Sequence, residues 1–158
     1  MVATGVRPSY FGHDEFAQYA PGLKSLSDAE TIRAKILGAF ELAAVADDDT
    51  ERARQMTFVL VGAGPTGVEL AASLAQMVRV TLRKNFHRID SAKASIILLD
   101  AGKRVLPTFA ESLSRKAAAA VSAIGAGAYS SGYAPTDSDD SNAQAYRYYY
   151  PAYGYYGY

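Results

Sequence analysis

Apolar positions along this chain follow two rhythms. Ile32, Ile36, Leu37, Phe40 and Ala43 recur at helical spacing behind Ser27-Asp28-Ala29-Glu30, which reads as a capping box, so a helix with one apolar face is predicted there. Asp47-Asp48-Asp49 then breaks the pattern and reads as a solvated linker. Thr57-Phe58-Val59-Leu60-Val61 is a short β-rich apolar run. Helical spacing returns with Val68, Leu70, Ala71, Leu74, Ala75 and Val78. The prediction is strand Thr57–Val61, helix Thr66 to about Lys84, strand Ser95–Leu99 and helix Ala110 to about Ala123. This is an α/β arrangement, a βαβ unit preceded by a connecting helix. Two parallel strands alone make a marginal sheet, because parallel sheets are normally covered on both faces and flanked by further strands, so poor stability is expected unless other segments or a partner complete it.

Between the first strand and its helix lies Gly62-Ala63-Gly64-Pro65-Thr66-Gly67. The spacing of its glycines matches what a pyrophosphate requires. The first glycine permits a tight turn, the second a close backbone approach to phosphate, and the third close packing of helix on strand. The helix that opens at Pro65 and Thr66 points free N–H groups and the positive end of its dipole at the anion. Pro65 suits its place, since the N–H it lacks would be unpaired in a first turn. Gly62, Gly64, Pro65, Thr66 and Gly67 are therefore candidate dinucleotide contacts in a partial Rossmann-like unit. The alternative is a glycine-rich structural turn.

A second signal is the acid that ends the next strand, Ser95-Ile96-Ile97-Leu98-Leu99-Asp100. A carboxylate there accepts hydrogen bonds from the adenosine ribose of NADH and repels a 2′-phosphate. Asp100 lies 33 residues past Gly67, so the crossover must carry extra helix between Arg79 and Lys93. Lys103 and Arg104 stand close by as cations able to accommodate NADPH. A plain strand-end turn carboxylate is the alternative.

With these residues in place the chain resembles the type II NADH dehydrogenases, FAD enzymes that pass electrons from NADH to quinone without pumping protons. The resemblance rests on Ala3-Thr4-Gly5, on Ser9-Tyr10-Phe11-Gly12-His13-Asp14-Glu15, on Ala20-Pro21-Gly22-Leu23-Lys24, on Gly62 to Glu69, and on Asp100-Ala101-Gly102 with Val105-Leu106-Pro107. It extends from residue 1 to about residue 124. It implies that Gly62, Gly64, Gly67 and Asp100 contact NADH, and that Glu69 sits near the nicotinamide where it meets the flavin. The alternative for Glu69 is an exposed helix carboxylate. Thr4 and Gly5 resemble the turn closing a first FAD-binding region, and Tyr10, Phe11 and Gly12 the loop running on beside the flavin.

The same resemblance implies parts that are not seen in this sequence: an earlier FAD region with its own GxGxxG, a second flavin segment, a quinone site and a membrane-binding part. Three regions are expected: the end of a FAD-binding region with its connecting helix over 1–50, a partial NADH-binding domain over 51–125, and a low-complexity extension over 126–158. The chain of 158 residues is 49% hydrophobic, but ten of its twelve tyrosines lie in 129–158, a segment without Val, Ile, Leu, Met or Phe. Such a composition cannot bury aliphatic surface against its ordering entropy, so disorder is expected from about 126 onward. Tyr/Gly repeats also suit weak self-association.

Composition excludes several functions. With no cysteine there is no redox-active thiol pair, so disulfide reduction is excluded, as is a thiolate zinc site, and His13 and His87 lack metal-ligand spacing. A nucleic-acid role is not expected, since Arg147 is the only cation beside three aspartates in 129–158 and the net formal charge is zero. The basic stretch Arg79, Arg83, Lys84, Arg88, Lys93 reads as a solvated helix face. No run of 18 apolar residues is present. A membrane association is implied only through family parts not seen here, at the cytoplasmic face of the inner membrane. Two functions follow: the NADH-binding portion of an FAD-dependent NADH:quinone oxidoreductase, alone or completed by a second chain, or a non-catalytic interaction module with a self-associating tail.

Overall fold

The computed structural model describes residues 10, 12 and 14–130, the side chains of 128–130 excepted. The chain divides into two compact units, Met1–Gln55 and Met56–Tyr158.

The first unit holds a short 3-10 turn, Asp14–Gln18, and two helices, α1 (Leu26–Val45) and α2 (Asp49–Gln55). The capping box of α1 begins two residues before the one expected from sequence. Ser25, not Ser27, is the cap: its hydroxyl accepts the Asp28 N–H at 3.1 Å while Asp28 accepts the Ser25 N–H at 2.8 Å. Asp28 also takes the Lys24 N–H at 2.9 Å. The bonds from Lys24 and Ser25 hold its carboxyl below the usual carboxylate range. A short aspartate thus does the work expected of Glu30. Phe40 and Ala43 are fully buried on α1, with Ile32, Ile36 and Leu37 half-buried beside them. The aspartate run is more than a linker, because Asp48 accepts the Glu51 N–H at 2.8 Å and so starts α2.

In the second unit three parallel strands lie in the order β1 (Thr57–Val61), β2 (Ser95–Asp100), β3 (Ala126–Ser130). Val59 pairs with Ile97, and Leu98 with Ala128. The crossover from β1 begins as α3 (Pro65–Gln76), continues through one π turn, Met77–Thr81, and closes in a 3-10 turn, Leu82–Lys84. The helical path therefore reaches the expected Lys84 without remaining one regular helix. The Ser91 hydroxyl, fully buried, donates to the Val78 carbonyl inside the π turn at 2.5 Å. The second crossover is α4 (Glu111–Ala123). Arg79, Arg83, Lys84, Arg88 and Lys93 are all exposed, but they do not form one helix face: Arg88 and Lys93 follow the end of the helical path at Lys84, and the Arg79 guanidinium lies against Gly125.

The third strand corrects the sequence reading, in which residues from about 126 belonged to a low-complexity extension. Ala126–Ser130 pairs with β2 from Ile96 to Asp100. A strand of Ala, Gly, Ala, Tyr and Ser, with one aromatic and no β-branched residue, carries little intrinsic β signal, and its pairing partner determines it. Residues 131–158, for which disorder was expected, lie outside the described residues.

Both helices of this unit cover one face of the sheet. Leu98 is fully buried with Ala63 and Val105, and Leu60, Val68, Ala117 and Ala118 pack against them. Strand alternation sends the intervening side chains to the other face. There Val61 is 77% exposed, Val59 51% and Leu99 39%. This face of the parallel sheet is thus apolar and exposed.

Candidate functional site

The carboxyl ends of β1 and β2 and the first turn of α3 converge on the glycine loop. Gly62 leaves β1 with φ of 105°, a left-handed backbone that favours glycine, and its N–H donates to the Leu99 carbonyl at 2.7 Å. Gly64 caps α3 in an extended conformation with no side-chain partner, and Pro65 is the first helical residue. The first turn of α3 is thus left uncapped by any side chain, the arrangement an anionic ligand uses. At Gly67 a Cβ would collide with the Gly62 carbonyl oxygen and lie 3.3 Å from Leu98 Cδ1. The third glycine therefore permits the close approach of helix to loop, the role its spacing suggested.

Ala63, between the first two glycines, is held at both of its backbone polar atoms. Its N–H donates to Asp100 Oδ2 at 2.6 Å, and its carbonyl accepts the Leu106 N–H at 2.7 Å. The other carboxylate oxygen of Asp100 accepts the Gly102 N–H at 2.6 Å. Leu106 makes its bond from a left-handed backbone, φ 50°, which is costly for a leucine and is stabilised by its surroundings. Arg104 ties the same loop by donating to the carbonyls of Pro107, at 3.0 Å, and Phe109, at 3.2 Å. Ser114 of α4, buried, donates to the Val105 carbonyl at 2.5 Å. Loop 100–106 and the glycine loop are therefore one hydrogen-bonded unit.

The structure brings Gly62, Gly64, Pro65, Thr66, Gly67 and Asp100 to one end of this sheet. Glu69 lies exposed on α3, two residues past Gly67. Tyr10 and Gly12 belong to the first unit. Tyr10 donates its hydroxyl to the Ala20 carbonyl at 2.7 Å, and Gly12 turns the chain with φ of 91°. Thr4, Gly5 and Phe11 lie outside the described residues. Sequence reasoning missed the parts played by Ala63, Leu106, Gly102 and Ser114. Three of them act through backbone atoms that every residue carries, so side-chain chemistry gave no signal.

Residues 1–126 match the family model described as pyridine nucleotide-disulphide oxidoreductase. The chain belongs to that family. It is 49% identical over 125 residues to the type II NADH:quinone oxidoreductase Ndh of Mycobacterium tuberculosis, covering 79% of this chain and 27% of that protein. A probable NADH dehydrogenase of Dictyostelium discoideum is 36% identical over 118 residues, covering 74% of this chain and 26% of the relative. Among solved structures, that of NDH2 from Plasmodium falciparum in complex with NADH superposes with a TM-score of 0.71 at 26% identity. The match covers 78% of this chain and 25% of that one. The chain thus spans about a quarter of the length of these relatives. The resemblance seen in the sequence motifs holds over the same stretch, and the βαβ arrangement is that of the NDH2 fold.

Proposed function

We propose that the second unit binds NADH, as the pyridine-nucleotide portion of an FAD-dependent NADH:quinone oxidoreductase. The observation that carries this reading is the Asp100 carboxylate at the end of β2, bonded across to Ala63 of a glycine loop that opens a helix without a side-chain cap. A pyrophosphate suits the uncapped N–H groups, and a ribose diol suits the lone pairs Asp100 retains. The Asp100 carboxylate, which repels a 2′-phosphate, supports NADH over NADPH, while Arg104 donates one terminal nitrogen to two carbonyls of its own loop. Glu69, exposed near the start of α3, is free of any packing role that would conflict with a place beside the nicotinamide.

A flavin would supply the redox chemistry of such an enzyme, and the residues of this unit would bind and orient the NADH presented to it. Of the flavin candidates, Tyr10 and Gly12 lie among the described residues: Tyr10 donates its hydroxyl to the Ala20 carbonyl, and Gly12 turns the chain. Hydride transfer is proposed for this sequence only in company with flavin-holding structure. The open sheet face at Val59, Val61 and Leu99 favours a second reading in which another chain or segment completes the unit. No described helix is long and apolar enough to cross a membrane. A place at the cytoplasmic face of the inner membrane is proposed from the family resemblance alone.

The test is a two-dimensional amide spectrum of the purified chain with and without NADH. Shifts confined to Gly62–Glu69 and the surroundings of Asp100 are expected. A dispersed spectrum that ignores millimolar NADH overturns the reading.

A further inference from the structure

Gly102 has no positive φ, so its backbone conformation is open to any residue. Space is what requires glycine there. A Cβ would stand 2.9 Å from Asp100 Oδ1, the same oxygen that accepts the Gly102 N–H at 2.6 Å. The carboxylate would have to shift to make room, and because it holds two N–H groups at once the shift is felt at the Ala63 N–H, now held at 2.6 Å. We infer that Gly102 is a positioning residue for dinucleotide binding: its missing side chain lets the Asp100 carboxylate bridge its own turn and the glycine loop, with its remaining lone pairs aimed at a ribose diol. The dinucleotide half of this inference rests on the proposed function, whereas the bridge does not.

The consequence is discrimination as well as affinity. A carboxylate offers about four lone-pair sites, of which the two backbone N–H groups take one on each oxygen. The remainder can accept both ribose hydroxyls and repel a 2′-phosphate only while the carboxylate stays in this orientation. One terminal nitrogen of Arg104 is shared between Pro107 and Phe109, so any phosphate contact from this residue falls to its other N–H groups.

The experiment compares the wild-type chain with Gly102→Ala, Asp100→Ala, the double variant and Ala101→Ser, an exposed neighbour, as control. Affinities for NADH and NADPH are read by nucleotide fluorescence, and the Ala63 amide proton by NMR. Gly102→Ala is expected to weaken NADH about tenfold, the scale of a lost charge-assisted contact, and NADPH by less. The Ala63 amide should move in the direction it takes in Asp100→Ala. Adding Gly102→Ala to Asp100→Ala should change neither affinity, since the glycine acts through that carboxylate. This double variant also removes the clash, so the comparison survives if Gly102→Ala alone does not fold. Unchanged NADH affinity in Gly102→Ala, an unmoved Ala63 amide, or a further loss in the double variant overturns the inference. A wild-type chain that binds neither nucleotide sinks the proposed function. The Ala63 amide then decides the bridge by itself: displaced in Gly102→Ala it stands, unmoved it falls.

Discussion

Asp100 reaches across 37 residues of sequence to accept the Ala63 N–H at 2.6 Å, joining the end of β2 to the loop that leaves β1. Ala63 is buried, so this N–H has no access to water as a substitute partner. Removing the acceptor with Asp100→Ala is expected to cost about 1–3 kcal/mol, the penalty of a buried donor left unpaired. Asp100→Asn keeps a neutral acceptor and should cost less. Urea unfolding of the two variants decides it, and no loss in Asp100→Ala would show that the Ala63 contact contributes nothing to stability.

Gly67 is predicted to be the least replaceable of the three loop glycines. Its neighbour is the Gly62 carbonyl, a backbone atom that cannot swing aside as a side-chain tip can. Gly64, in contrast, has open space where a Cβ would be. Gly67→Ala should destabilise the second unit by about 3 kcal/mol, the upper end of ordinary overpacking, and abolish NADH-dependent amide shifts. Gly64→Ala should leave stability nearly intact while weakening nucleotide binding through closer crowding of the phosphates. Thermal unfolding followed by circular dichroism, paired with an NADH titration, separates the two; identical behaviour would contradict the assignment.

The difference between those glycines also shows what the sequence could disclose. The loop was legible because a pyrophosphate turn needs glycine at fixed spacing, and Asp100 was legible because an acid ends an apolar run. The family motifs over residues 1–124 were legible for the same reason, as separated blocks of unusual residues. β3 was hidden, because Ala126-Gly127-Ala128-Tyr129-Ser130 lacks branched side chains and acquires its conformation from pairing with β2. The α1 cap was misplaced by two residues because Ser25 and Ser27 offer competing boxes, and the shorter Asp28 won over Glu30. Least visible was the junction of loop 100–106 with the glycine loop, whose bonds to Ala63 and Leu106 use backbone atoms common to all residues.

In the first unit the charges on α2 should respond to acid. Hydrogen bonds from Arg54 and then Gln55 hold the Glu51 carboxyl down from its ordinary 4.5 to about 2. A carboxyl depressed in the folded state adds stability above its unfolded value and loses it as pH falls through the folded one. The contribution is therefore complete above about 4.5 and disappears towards 2. Glu51 and Arg54 are both in contact with solvent, so the effect is small and weakened by salt. Comparing the helical signal of the wild-type chain and Glu51→Gln between pH 6 and pH 2 checks this: the difference should shrink on acidification. A difference that stays constant across the range rules out the Glu51 interaction as its source.

Ser114 supplies the last check, on the link between α4 and the glycine loop. Its hydroxyl donates to the Val105 carbonyl at 2.5 Å, and both residues are buried. Ser114→Ala removes the donor without changing the backbone and leaves that carbonyl without its hydroxyl partner, at a cost of about 1–3 kcal/mol. Ser114→Thr keeps the hydroxyl but adds a methyl group to a packed position, so its cost should come from crowding and leave the hydrogen bond in place. The two variants part company at Leu106. Val105 immediately precedes the left-handed Leu106, whose N–H holds the Ala63 carbonyl, so a released Val105 carbonyl lets that turn relax and faster amide exchange at Leu106 is expected in Ser114→Ala alone. Equal Leu106 exchange in both variants would show that α4 does not brace the glycine loop.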